Sequence, residues 1–220
     1  MHADAVAIVP AGGAARRLGR HAPGGKAALL AGERTFLDRV CTGLAAVVPR
    51  VIVVAAPGAE VPQVGTAVEI IRDSVPGAGP LAALRDGLVH AGATPSPPRV
   101  AILCACDMPL VSAGVIGLLL DRAVPGVRWV LPVVGGHPQP LVSVLAVDVL
   151  PVVERLLAAG IRSLRDLAAD LGATGPQAVV HVAAEELVRV DPTLESFLDV
   201  DTPEDLARVL PRVAASPRRA

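Results

Sequence analysis

The single lysine of the chain, Lys26, ends the glycine-rich stretch Gly12-Gly13-Ala14-Ala15-Arg16-Arg17-Leu18-Gly19-Arg20-His21-Ala22-Pro23-Gly24-Gly25-Lys26, which follows closely on the apolar run Ala5 to Val9. Every other basic side chain is arginine. An ammonium is a compact point charge with three donors that can follow a phosphate through reaction, whereas a guanidinium is a flat fork that holds one geometry. A glycine-rich turn behind a buried strand, closed by a lysine, is a place for phosphates. The bland alternative is a coding bias toward arginine that spared one lysine. Two carboxylates stand in comparable places, Asp73 after Val68-Glu69-Ile70-Ile71-Arg72 and Asp107 after Val100 to Cys106. A carboxylate beside phosphates suits an oxygen-seeking cation such as Mg²⁺.

Two familiar phosphate loops do not fit. In a P-loop, G-x-x-x-x-G-K-[ST], the first glycine would fall on Arg20 and a metal-binding hydroxyl on Ala27. A dinucleotide fingerprint G-x-G-x-x-G is absent too, because Gly12 and Gly13 are adjacent and Arg16 and Arg17 follow.

The elements that must carry these residues alternate. Ala5 to Val9, Val51 to Val54, Val68 to Asp73 and Val100 to Cys106 read as strands, the first, second and fourth as continuous apolar runs buried on both faces. Thr35 opens a helix with Leu37, Val40, Cys41, Leu44 and Val47 on one face, and a second helix runs from about Pro80 to His90. Ala113 to Ala123, Val149 to Ala159 and Ser163 to Leu171 read as helices; Trp129 to Val134 and Leu141 to Leu145 read as strands. This order predicts one three-layer α/β domain over residues 1–213 with a mainly parallel sheet, and a frayed tail over 214–220. Ligands of such sheets sit at the carboxyl ends of the strands, where strand order reverses. If the first and fourth strands are neighbours, the Lys26 loop meets Asp107 there.

Composition narrows the partners. A formal net charge of −1 leaves no electrostatic footprint for nucleic acid or an anionic membrane. There is no Tyr, and Phe36, Phe197 and Trp129 are the only aromatics, which nearly excludes base stacking on aromatic rings. The start, Met1-His2-Ala3-Asp4, lacks the basic region of a signal peptide, and Met108 to Leu120 is too short and too interrupted to span a bilayer, so a cytoplasmic protein is expected. Cys41, Cys104 and Cys106 fit no disulfide or metal pattern and read as small apolar residues.

The loop Pro10-Ala11-Gly12-Gly13-Ala14-Ala15-Arg16-Arg17-Leu18-Gly19, then Lys26, resembles the nucleotidyltransferase loop of the molybdenum cofactor guanylyltransferase family. The resemblance continues in order through Asp73, Gly79-Pro80-Leu81-Ala82, Cys106-Asp107-Met108-Pro109, His137-Pro138-Gln139-Pro140 and Phe197-Leu198-Asp199-Val200-Asp201-Thr202-Pro203. It implies a Rossmann-like nucleotidyltransferase fold and transfer of GMP from GTP to the terminal phosphate of molybdopterin, with Mg²⁺ required and pyrophosphate released. Carried over residue by residue, Pro10, Ala11, Gly12 and Gly13 border the nucleotide, and Lys26 and Arg17 face its phosphates. Asp73 binds the nucleotide, and Asp107 holds the metal; Asp199 and Asp201 stand where some members of the family carry asparagines, and Asp201 reads as a second metal ligand or as a helix cap.

Other readings stand beside these. A cytidylyltransferase on the same cofactor, a guanylyltransferase on a phospholactate-like acid, and a nucleotide-binding regulator without turnover all fit parts of the pattern. Pro10 replaces the usual leucine, the stretch between Gly19 and Lys26 is long, and the chain has no asparagine. Asp107 and Asp73 also suit turns, Asp201 also suits a helix start before Thr202-Pro203, and His137 reads equally as an acceptor contact or an exposed loop residue. If the lysine is chemically required, Lys26→Arg lowers kcat/KM at least roughly tenfold, about 1.4 kcal/mol, despite conserving charge. Steady-state kinetics check this, and wild-type values in the variant would return the lone lysine to coding bias.

Overall fold

The computed structural model describes residues 1–215 except 13, 14, 16, 20, 21, 23 and 76. Its elements are β1 (Ala5–Pro10), β2 (Leu30–Ala31), β3 (Arg34–Thr35), α1 (Phe36–Ala45), β4 (Val51–Ala55), β5 (Glu69–Arg72), α2 (Pro80–Gly92) and β6 (Val100–Cys104), then α3 (Ala113–Arg122) and β7 (Trp129–Val134). They continue with β8 (His137–Pro138), β9 (Val142–Ala146), α4 (Leu150–Ala158), α5 (Leu164–Gly172), β10 (Val179–Ala183), α6 (Ala184–Leu187) and α7 (Pro203–Ala215). The stretch expected as a tail therefore begins inside α7, and 216–220 lie outside the described residues.

Among the described residues the main sheet runs β10-β7-β9-β6-β1-β4-β5, with β8 paired to β7. β1 is parallel to both β4 and β6, β4 to β5, and β7 to β10, whereas β9 is antiparallel to β6 and β7. The alternating strand geometry splits each central strand between two cores. Ala5, Ala7 and Val9 of β1 pack with Leu37, Val40 and Leu44 of α1 and Ile116 and Leu119 of α3 on one face. Val6 and Ile8 pack with Leu81, Leu84 and Leu88 of α2, Val153 of α4 and Leu167 of α5 on the other. Three layers result, as the alternation predicts; the small β2–β3 hairpin, β8 and β10 are additions to it.

Helix starts follow from local chemistry. The Thr35 hydroxyl accepts from the Asp38 N–H at 3.1 Å, and Ser112 and Ser163 cap α3 and α5 in the same way. His90 sits 2.8 Å from Glu69 at the sheet edge. The Arg50 guanidinium, with His90 adding to it, holds the Glu69 carboxyl at about 2. No helix among the described residues is long and apolar enough to cross a membrane.

The topology puts its reversal at β1. The chain moves outward from β1 to β4 and β5, then returns to place β6 on the other side of β1. Register pairs Ala7 with Ile102 and Ile8 with Leu103, so the carboxyl ends of β1 and β6 finish side by side. Beyond them the Cys106 N–H donates to the Pro10 carbonyl at 3.3 Å. α2 crosses β1 closely, and a Cβ added at Gly87 would lie 2.5–2.9 Å from three side-chain carbons of the fully buried Ile8. We expect Gly87→Ala to destabilise the protein by about 1–2 kcal/mol, overpacking outweighing the gain in helix propensity. Gly117→Ala in α3, where an added Cβ meets nothing within 4 Å, is expected to stabilise by about 0.4–1 kcal/mol. Urea denaturation midpoints check both, and destabilisation of equal size in the two variants would contradict the close approach.

Candidate active site

The loop that leaves β1 is wound into short turns. Leu18 and Gly19 donate to the Ala15 carbonyl, Ala22 to Gly19, Gly25 to Ala22 and Ala28 to Gly25, at 3.0–3.3 Å. The described residues before Lys26 thus form turns, with Gly25 at φ 80°, a conformation other residues rarely adopt. Lys26 opens a 3-10 turn, Lys26–Ala28, whose Ala27 is buried against the sheet core.

Here the Lys26 Nζ donates to Asp107 Oδ2 at 2.6 Å and to Asp201 Oδ1. The Lys26 and Asp107 side chains are 13% and 14% exposed, and Asp201 is 41% exposed. Burial works against the ammonium, but the hydrogen bonds and charges of Asp107 and Asp201 outweigh it and raise the Lys26 pKa above its ordinary value. Arg17, three-quarters exposed, reaches the other oxygen of Asp201 at 3.4 Å. Four of the residues singled out in the sequence, Arg17, Lys26, Asp107 and Asp201, are therefore brought together at the carboxyl ends of β1 and β6.

Asp107 Oδ1 is buried without a hydrogen-bond partner among the described residues, while its backbone carbonyl accepts from the Val200 N–H at 3.2 Å. That bond draws the C-terminal segment into the site. Asp199 lies in this segment, where burial first, and then the charges of Asp107 and Asp201, push its carboxyl above the usual range. Among the described residues no group of three His, Cys, Asp or Glu side chains is assembled as a ready-made metal cage. A cation here would draw part of its shell from elsewhere, as Mg²⁺ does with phosphates and water. The unpartnered Asp107 oxygen and the all-oxygen donor set fit such an ion. Asp201 does not cap α7: Thr202 and Asp205 form the capping box, and the Asp201 carboxylate is left to Lys26 and Arg17.

The remaining site residues are placed more loosely. Pro10 ends β1 with its carbonyl accepting from Cys106, and the Ala11 N–H donates to Val54 at 2.8 Å, so Ala11 has no free amide to offer. Gly12 is exposed at the loop start, and Gly13 lies outside the described residues, as do Arg16 and His21. Asp73 is not in the Lys26 cluster. It directly follows β5, two strands from β1, where its carboxylate accepts from the Val75 N–H at 3.1 Å. Burial, with the Asp86 charge adding to it, raises its pKa. Asp86, unremarked in the sequence, accepts from both the N–H and the hydroxyl of Ser74 at 2.8 and 3.0 Å and so fixes the turn after Asp73. His137 is exposed on β8, which pairs with the carboxyl end of β7 on the site's edge of the sheet. Cys104 and Cys106 are fully buried free thiols, pushed up by burial, and serve as apolar filling.

Removing the ammonium leaves two carboxylates facing each other, with Asp107 Oδ2 and Asp201 Oδ1 both newly unpaired. Lys26→Met is expected to lower stability by about 1.5–3 kcal/mol at pH 7. Because the Lys26 pKa is raised in the folded protein, its contribution is fully present below about 10.5 and is lost as pH rises through the higher folded value. Denaturation across pH 7–11 checks this, and a variant as stable as wild type at neutral pH would contradict the pairing.

With this geometry in view, relatives can be placed. The chain matches the MobA-like NTP transferase domain family over residues 7–187. It is 35% identical over 190 residues to a probable molybdenum cofactor guanylyltransferase of Mycobacterium avium (strain 104), covering 84% of this chain and 89% of that protein. A protein of the same description from Methanosarcina mazei is 30% identical over 219 residues, covering 93% and 89%. The fold is similar to the crystal structure of molybdopterin-guanine dinucleotide biosynthesis protein A from Archaeoglobus fulgidus, with a TM-score of 0.72 at 23% identity, covering 96% of this chain and all of that one. A glycine-rich loop, its lysine and a strand-end aspartate at the sheet's reversal, within a match spanning most of the chain, make this protein a nucleotidyltransferase of the MobA-like NTP transferase family.

Proposed function

We propose that this chain transfers GMP from GTP to the terminal phosphate of molybdopterin, in the presence of Mg²⁺, and releases pyrophosphate. The observation that carries the reading is the meeting of Lys26 with Asp107 and Asp201 at the β1/β6 reversal. Pro10, Ala11, Gly12 and Gly13 border the nucleotide, and Asp73 binds it from the end of β5. Lys26 and Arg17 hold phosphate oxygens. Asp107, through its unpartnered oxygen, and Asp201 hold the metal. When bound, Mg²⁺ neutralises charge on the triphosphate and on the departing pyrophosphate.

In the transfer an oxygen of the acceptor's terminal phosphate bonds to the α-phosphorus of GTP, and the bond from that phosphorus to the β-phosphate bridging oxygen breaks. Little covalent chemistry falls to the protein. Its work is to align the acceptor oxygen with the α-phosphorus and to keep positive charge where negative charge builds up. Lys26 suits this, because its ammonium already lies between carboxylates that hold it charged, and three donors let it exchange carboxylate for phosphate partners.

Guanine is assigned through the backbone. Its N1 and N2 donors and O6 acceptor call for carbonyls with an amide beside them. A chain without asparagine must draw these largely from main chain, and Gly79 at φ 83° before Pro80 allows a base to come close to the backbone.

GTP with Mg²⁺ should stabilise the protein more than CTP or ATP does, by at least roughly 1.4 kcal/mol or tenfold in affinity. Thermal shift over the four NTPs measures this; equal or greater stabilisation by CTP would move the assignment to cytidylyl transfer. Asp107→Asn should remain folded and lose roughly 10²–10³-fold of Mg²⁺-dependent transfer. Near-normal turnover of that variant at limiting Mg²⁺ would remove Asp107 from the metal site.

A further inference from the structure

We infer that Val209 of α7 is a positioning residue for Leu18 and Ala22, beside Arg17 and Lys26, holding them in place through an apolar cluster separate from both sheet cores. The inference rests on the transferase reading only for what Arg17 and Lys26 contact. Between residues 15 and 25 the described backbone bonds run within the loop itself. They shape the turns and do not locate them. Besides the ion pairs of Arg17 and Lys26, location comes from one buried apolar cluster, in which Leu18, Ala22 and Leu29 of the loop region join Ala31, Phe36, Val200, Val209 and Val213. Val209 is 1% exposed and wholly apolar, so it acts through the loop and not on a ligand.

The same helix fixes the loop's polar partner. The Asp205 carboxylate accepts from the backbone N–H groups of Asp201 and Thr202 at 3.3 and 3.0 Å, which ties Asp201 to the first turn of α7. α7 thus sets both ends of the Lys26–Asp201 pair, one through its cap and the other through Val209. Pro211 inside the helix removes a backbone donor, so α7 depends on docking the stripe of Leu206, Val209 and Val213 for its order. This segment lies beyond residue 187, where the family match ends.

Hydrogen exchange of the ligand-free protein tests the inference without any substrate. In Val209→Ala the amides of Leu18, Gly19 and Ala22 should exchange at least tenfold faster while those of β1 and β6 keep wild-type protection. Leu210→Ala, at a partly exposed position on the same helix, should leave the loop unchanged. In steady-state assays Val209→Ala should raise the KM for GTP at least fivefold and Leu210→Ala should not. Loop exchange equal to wild type in Val209→Ala would overturn the inference. So would acceleration of β1 and β6 by the same factor, because Val209 would then serve the whole fold. If the wild-type protein fails to transfer GMP, the proposed function falls, and the exchange experiment still decides the role of Val209.

Discussion

An ammonium enclosed between two carboxylates is costly to bury unless both partners stay in place, and this is the condition that Lys26, Asp107 and Asp201 impose on the chain. Lys26 lies 81 residues from Asp107 and 175 from Asp201. Bringing them together requires β1 and β6 to be parallel neighbours, the loop after β1 to be wound into turns, and the C-terminal segment to return across the sheet. Each requirement is met by a separate set of interactions. Strand register fixes Asp107, local turns with their buried leucines and alanines fix Lys26, and the capping box of α7 fixes Asp201.

The same arrangement gives the site its electrostatic character. Positive charge on Lys26 and Arg17 faces negative charge on Asp107, Asp201 and the nearby Asp199. Anionic phosphates and a divalent cation together match both signs at once, whereas either alone would leave one sign uncompensated. Beneath the site, mostly aliphatic side chains alternate across the central strands into two cores. A sheet of this kind is a rigid base, and the clustered charges sit on the loops at its edge.

Much of this was legible in the sequence because the central strands are continuous apolar runs, and burial on both faces leaves no other use for them. Placing β1 beside β6 was a condition, not a deduction, since periodicity carries no strand order. β8 spans two residues and β2 and β3 two each, too short to show alternation, and β10 is half exposed, so these were missed. Lys26 and Asp107 stand out by type and setting, and Arg17 by the family resemblance alone. That Asp201 gives its carboxylate to Lys26 while Thr202 and Asp205 cap the helix could not be read locally, because both roles suit an aspartate before Thr-Pro. The third apolar cluster was invisible for the same reason: Leu18 and Val209 are joined only by the folded chain.

The central claim is that these residues form a centre for nucleotidyl transfer, not merely for nucleotide binding. Pyrophosphate release from each NTP, measured with molybdopterin and Mg²⁺, tests it most directly. The account predicts one pyrophosphate per GMP transferred with GTP, and none when the acceptor is omitted. Tight nucleotide binding with no pyrophosphate from any of the four NTPs in the presence of acceptor would contradict it.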